Sequence, residues 1–163
     1  MKVLIAICIA LSIFLPIEAQ HLSNKYVAYV VSEAYNKQVA CMAKNIYYEA
    51  AKEPHEGKLA VAQVTMNRAN NKDYPSDFCG VVYQKTNGTC QFSWVCEKPY
   101  AIHDEYAWEE AMYIAKRAMT EPILHKELAK TNAEYYHAVY VHPGWKNTKV
   151  VKKIGNHIFY TKV

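Results

Sequence analysis

The sequence predicts an α+β fold, mostly helical, with one small β-hairpin or sheet region. Three observations carry this reading. Apolar residues recur at helical spacing through residues 23–36, 38–51, 56–70 and 104–119. Asn87-Gly88 is the strongest hairpin-turn dipeptide in the chain, because both residues tolerate positive φ. Near the end, residues 136–141 and 158–160 are rich in β-branched and aromatic side chains, as strands are.

The elements follow in order. Ser23 is placed to cap a first helix, with Val27, Val30, Val31 and Ala34 on one face. A second helix runs over 38–51 and ends there, because Pro54 disfavours helical geometry at Glu53. In the third, Leu59, Ala60, Val61, Ala62, Val64 and Met66 cover nearly the whole circumference, which predicts burial on all sides. Gln63 and Asn67 on that helix then need internal hydrogen-bond partners. Residues 71–77 read as a loop and 79–84 as a short helix or turn. Asn87-Gly88 joins two short strands, the second over 90–94. Asp104 caps a helix to Met119, buried through Trp108, Ala111, Met112, Ala115 and Ala118. Coil follows Pro122. Pro143-Gly144 and Gly155-Asn156 form turns among the late strands.

Residues 1–19 read as an export signal: Lys2, then an apolar run from Val3 to Ile17, then Ala19 as a small residue for cleavage. The apolar run is short for a membrane span, which takes about 20 residues. Cleavage leaves 144 of the 163 residues, the size of one domain. With 52% hydrophobic and 21% charged residues, disordered and low-complexity classes are excluded. The net charge of +4 suits an anionic polymer. No run of five lysines or arginines occurs, so nucleic acid is not an expected partner. The 14 tyrosines offer rings to line a groove.

Cys8 lies inside the signal, which leaves Cys41, Cys79, Cys90 and Cys96. An even count in an exported chain points to disulfides, with three pairings possible. Cys90 and Cys96, six apart in an expected hairpin, favour each other, and Cys41 with Cys79 then remains. No Cys-x-x-Cys spacing suggests zinc.

Glu49 is the candidate for acid–base chemistry. It lies among Tyr47, Tyr48, Ala50 and Ala51 at the end of the second helix. Burial beside rings disfavours the charged carboxylate, and so does the negative end of the helix dipole. A carboxyl so placed suits a general acid near neutral pH.

The wider pattern resembles the SleB/CwlJ-type cell wall hydrolase family. The match begins at Ile46–Ala50, then Glu53-Pro54, Glu56-Gly57, Ala60–Ala62 and Asn67-Arg68. Tyr74-Pro75, Cys79–Gln84 and Gln91–Ser93 continue it, and Tyr136-His137, Tyr140-Val141, Pro143, Trp145 and Ile154–Phe159 close it. It covers about three-quarters of the chain, with a family core near residues 40–161 of a single domain expected over 20–163. Ala51-Lys52 replaces the family's frequent Arg-Gly, and the wall-binding domain of some members is not expected here.

The resemblance implies a lysozyme-like fold and cleavage of peptidoglycan glycan strands between N-acetylmuramic acid and N-acetylglucosamine. Glu49 maps onto the family's catalytic glutamate. Tyr48, Gln91, Phe92, Ser93, Tyr136 and His137 are the expected substrate-binding residues, with at most one of Tyr47 and Tyr48 touching substrate. His157 is expected to pack behind them. A strand alternates its faces, so one of Tyr136 and His137 points to the groove. Asp73, Asp77, Glu97 and Asp104 offer no clear second carboxylate. A single acid suits a lytic transglycosylase, with a hydrolytic muramidase as the variant in which Ser93 or Gln91 holds a water.

Three rivals are weighed. An N-acetylmuramoyl-L-alanine amidase needs zinc, yet no His-Glu-x-x-His occurs, and His137 and His142 fall on opposite faces of the expected strand. A cysteine peptidase is disfavoured by the paired cysteines. A non-catalytic wall-binding module is disfavoured by the setting of Glu49. The expectation is a monomeric exported enzyme of the periplasm, envelope or extracellular space, without cofactor, metal or stable membrane span.

Overall fold

The computed structural model describes residues 17–97 and 99–163. The expected export signal lies outside them, apart from residues 17–19, which open the first helix. The chain divides into two compact units, Met1–Asn36 and Lys37–Val163. In the first, Leu22, Tyr26, Val27, Val30 and Val31 are exposed on a continuous helix.

The two helices expected over 23–36 and 38–51 are one, α1 (Ile17–Ala50). No glycine or proline stands between Ser23 and Ala51 to interrupt it, and Ser23 is interior rather than a cap. No described helix is long and apolar enough to cross a membrane.

In the second unit, α2 (His55–Asn70) starts on Pro54, whose missing N–H costs nothing at a helix start. It is buried almost all round, as its apolar circumference predicts. Met42, Ala43, Ile46 and Tyr47 of α1 pack with Ala62 and Met66 of α2. Ala111, Ile114 and Ala115 of α5 (Glu105–Ala118) complete that cluster. The opposite side of α2 presents Ala60, Val61 and Val64 to Leu128, Ala133, Ile154 and Phe159.

The buried polar residues of α2 are satisfied internally. Gln63 Nε2 donates to Asn67 Oδ1, and its Oε1 accepts from the Leu124 and His125 amides. Asn67 Nδ2 donates to the Leu128 and Ala133 carbonyls. Asp104 caps α5 by accepting from the Ala107 amide. Asp77 likewise caps the short α3 (Phe78–Val82) through the Gly80 amide.

Asn87 and Gly88 both have positive φ and join β1 (Lys85–Thr86) to β2 (Thr89–Cys90). The strand expected over 90–94 stops at Cys90; Ser93–Cys96 forms one helical turn, α4. Trp94 explains the departure. Its Nε1 donates to the buried Asn45 Oδ1 and its ring stacks on Tyr48, so the backbone must coil to bring it inward.

A short helix, α6 (Lys126–Lys130), occupies the expected coil, capped by the His125 ring accepting from the Leu128 amide. The antiparallel sheet has order β3-β5-β4, with β3 (Tyr135–Ala138), β4 (Thr148–Ile154) and β5 (His157–Lys162). β4 was not expected. The structure pairs Cys41 with Cys79, tying α1 to α3, and Cys90 with Cys96, closing a loop around Gln91–Ser93.

Candidate active site

Glu49 sits one residue before the end of α1, and its last turn holds no basic residue to offset the helix dipole. It lines a cavity of about 440 Å³. α1 and α2 supply Tyr48, Glu49 and Arg68. The disulfide-closed loop supplies Gln91, Phe92, Ser93 and Trp94, and Tyr136, His137 and His157 come from β3 and β5. All six expected substrate-binding residues therefore meet Glu49 in one cavity.

Their exposure differs. Phe92 is only 3% exposed and serves as floor, tilted against Tyr136. Gln91 and Ser93 are exposed at the mouth, with Gln91 Nε2 donating to Thr86 Oγ1. Of the two tyrosines beside the acid, Tyr48 lines the cavity. Tyr47 is buried, its hydroxyl accepting from the His103 and Asp104 amides.

Burial pushes the Glu49 carboxyl up to about 6. The Tyr136 hydroxyl, which donates to Oε2 at 3.1 Å, and the Arg68 charge pull the other way, and Glu97 adds to the rise. Burial, and next the Glu49 charge, hold the Tyr136 hydroxyl well above its ordinary range, so it stays a donor. With Oε2 engaged, Oε1 is the oxygen open to carry the exchangeable proton.

Arg68 is fixed behind the site. Its Nε donates to the Glu134 carbonyl, its guanidinium lies over the Tyr74 and Phe92 rings, and Nη1 is buried without a partner. Tyr136 is held on both sides, edge-on to His157 and tilted over Phe159. His157 is buried, and that burial holds its ring below the ordinary histidine value. It nevertheless reaches the cavity wall.

His137 donates from Nδ1 to the Ala138 carbonyl, since a carbonyl only accepts. In the neutral ring, Nε2 then accepts from the Tyr160 hydroxyl. His137 and His142 do not fall on opposite faces of one strand. β3 ends at Ala138, and both line a second cavity. Among the described residues no three histidine, cysteine or acidic side chains converge as metal ligands.

Of the four acidic residues without an assigned role, Asp77 and Asp104 are helix caps and Asp73 is in an exposed loop. Glu97 lines the cavity with Glu49. Sequence reasoning missed Arg68, Trp94, Tyr100 and Tyr140 as cavity residues. For Arg68 a signal existed, since a helix apolar on every side leaves a cation near its end no route to water.

Glu53 binds the site's two walls. It is 8% exposed and accepts from the Asn156 amide and side chain in the β4–β5 turn. Gly155 in that turn has φ +54°, and a Cβ there would overlap the Glu53 carboxylate. Glu53-Pro54 and Gly155-Asn156-His157, distant in sequence, are thus one clasp.

Among solved structures, the chain is similar to the catalytic domain of the Bacillus cereus SleB protein. The TM-score is 0.54, with 25% identity over 77% of this chain and 91% of that one. It is also similar to the catalytic domain of the germination-specific lytic transglycosylase SleB from Bacillus anthracis. There the TM-score is 0.53, with 26% identity over 76% and 93%. The α+β architecture is therefore lysozyme-like. A spore cortex-lytic enzyme of Oceanobacillus iheyensis is 30% identical over 131 residues, 79% of this chain and 44% of the relative. One from Bacillus subtilis is 26% identical over 125 residues, 76% and 37%. The chain thus spans less than half the length of these curated relatives. Residues 52–160 match the family described as Cell Wall Hydrolase, a stretch that starts just after Glu49 and takes in the clasp, Arg68, β3, β4 and most of β5. On that match over two-thirds of its length, the chain belongs to the Cell Wall Hydrolase family.

Proposed function

We propose that this protein is an exported, monomeric enzyme that degrades peptidoglycan by cleaving between N-acetylmuramic acid and N-acetylglucosamine, as a lytic transglycosylase with Glu49 as its one acid/base. The observation that carries the proposal is the Glu49 carboxyl, pushed to about 6 in a ring-lined cavity and anchored by Tyr136. Glu49 Oε1–H donates its proton to the glycosidic oxygen as the C1–O bond breaks, and the bonding pair leaves with that oxygen. Tyr136 stabilises the carboxylate so formed. Glu49 then takes the proton of the muramic 6-hydroxyl as its oxygen attacks C1, leaving a 1,6-anhydro end. Gln91 and Ser93 supply amide and hydroxyl groups at the mouth for the sugar substituents. Tyr48 offers a ring face.

The similarity to the Bacillus anthracis catalytic domain, that of a germination-specific lytic transglycosylase, supports this reading. One observation favours a hydrolytic muramidase instead: Glu97 lines the same cavity and is a second carboxylate able to activate a water. Mass spectrometry of digested peptidoglycan decides between them. Anhydromuramic ends are expected. Reducing ends, lost in Glu97→Gln, would select hydrolysis, and free stem peptides would indicate an amidase.

A further inference from the structure

A second cavity, of about 370 Å³, adjoins the first and shares His137 and Val141 with it. Its wall is a cluster of rings. The Tyr160 ring stacks on His137 with centroids 5.2 Å apart. The Trp145 ring stands edge-on to both, at 5.7 Å from Tyr160 and 5.6 Å from His137. Held this way, Trp145 remains 42% exposed rather than sinking into the sheet. The hydrogen-bonded chain from the Tyr160 hydroxyl through His137 to the Ala138 carbonyl fixes the ring that separates the two cavities.

We infer that this second cavity binds an uncharged N-acetylated sugar ring of the same glycan strand whose neighbouring linkage lies over Glu49. The inference rests on the glycan-cleaving reading above and extends it to a second site. Among the described residues, no lysine, arginine, aspartate or glutamate lines the cavity. A stem peptide, which carries carboxylates, would find no fixed opposite charge there. A pyranose has an apolar C–H face to lay on an indole and hydroxyls for a tyrosine or imidazole at its edge. A polymer that fills the first cavity must also leave it, and the second cavity lies directly across the wall that His137 and Val141 form. Binding energy gathered away from the reacting bond is a general means of holding a polymer in register.

The test is a binding series on the full chain carrying Glu49→Gln, which prevents turnover. Oligomers of N-acetylglucosamine of increasing length are titrated by calorimetry. Affinity is expected to climb with length. Adding Trp145→Ala should remove about tenfold from the longest oligomer and little from the disaccharide. Trp145→Phe should restore most of the loss. If Trp145→Ala retains the full length dependence while melting as a folded protein, the inference is overturned. It is also overturned if Trp145→Ala weakens binding of free stem peptide but not of oligomer. Product analysis of the wild-type chain tests the glycan-cleaving reading separately. Stem-peptide release would overturn that reading, while the binding series still decides what occupies the cavity.

Discussion

The two walls of the catalytic cavity are built by different physics. The helical wall, from α1 and α2, sits on fully buried side chains, and its polar residues Asn45, Gln63 and Asn67 find partners within the protein. The sheet wall, from β3 and β5, is half-buried and held by ring against ring: Tyr136 on Phe159, His137 on Tyr160. The first wall buries the acid enough to raise its pKa. The second meets solvent and offers aromatic faces. Close packing carries the proton chemistry, and a shallow ring-lined surface carries recognition. The Tyr136–Glu49 hydrogen bond, the Glu53 clasp and the packing of Phe159 with Ala60, Val61 and Val64 join the two walls.

The largest expected effect lies at the acid. Glu49→Gln should lower glycan cleavage by about 10²–10⁴-fold. The same change should stabilise the fold at pH 7 by about 2 kcal/mol. The sign follows from a folded value near 6 set against 4.5 for the free side chain. The folded protein binds more protons than the unfolded between those values, so ionisation costs stability as pH rises through them. The gain from glutamine is therefore full above pH 6 and absent below about pH 4.5, which thermal melts at both ends would show. Equal gains at pH 4 and pH 7 would contradict a desolvated acid.

The disulfides come next. Cys41–Cys79 closes 38 residues of the helical side, and replacing both by alanine should cost about 4 kcal/mol. Removing Cys90–Cys96, which closes only six, should cost about 2 kcal/mol while loosening Gln91–Ser93. Denaturant melts give both values, and a reversed order would show that the small loop, not the helical wall, anchors the site. Between these lies the clasp. Gly155→Ala places a side chain at φ +54° and against Glu53, an expected loss of about 2–4 kcal/mol. The last change, Tyr136→Phe, acts on the acid rather than on the walls. The Glu49 carboxylate loses a donor worth about 1.5–3 kcal/mol, so the alkaline limb of the activity–pH profile should move up. An unmoved limb would mean that Tyr136 packs without tuning the acid.

The same contrast explains what was legible in the sequence. α2 and α5 were readable because their apolar pattern and Asp104 cap are local properties. β4 was not. It is a lysine-bearing outer strand whose alternation is broken by an irregularity between Val150 and Lys152, so no two-residue period survives. α6 escaped because its cap is a histidine, a residue with little capping preference. α4 escaped because its turn answers to Asn45, about half a hundred residues away, and not to its neighbours. Glu49 was marked by its place among rings at a helix end and then by the family resemblance, which alone marked Tyr136 and His137. Arg68, Glu97 and Tyr140 share that cavity only after the chain has folded, and no short window of sequence holds them together.

The clasp has a consequence for how this chain can change. The room at position 155 is taken up by the side chain at position 53 and by the Pro54 ring, and the φ of +54° strains any side chain placed there, so position 155 is not free to change on its own. A larger residue at 155 is expected only alongside a shorter one at 53, and the pair should vary together or not at all among descendants of this sequence.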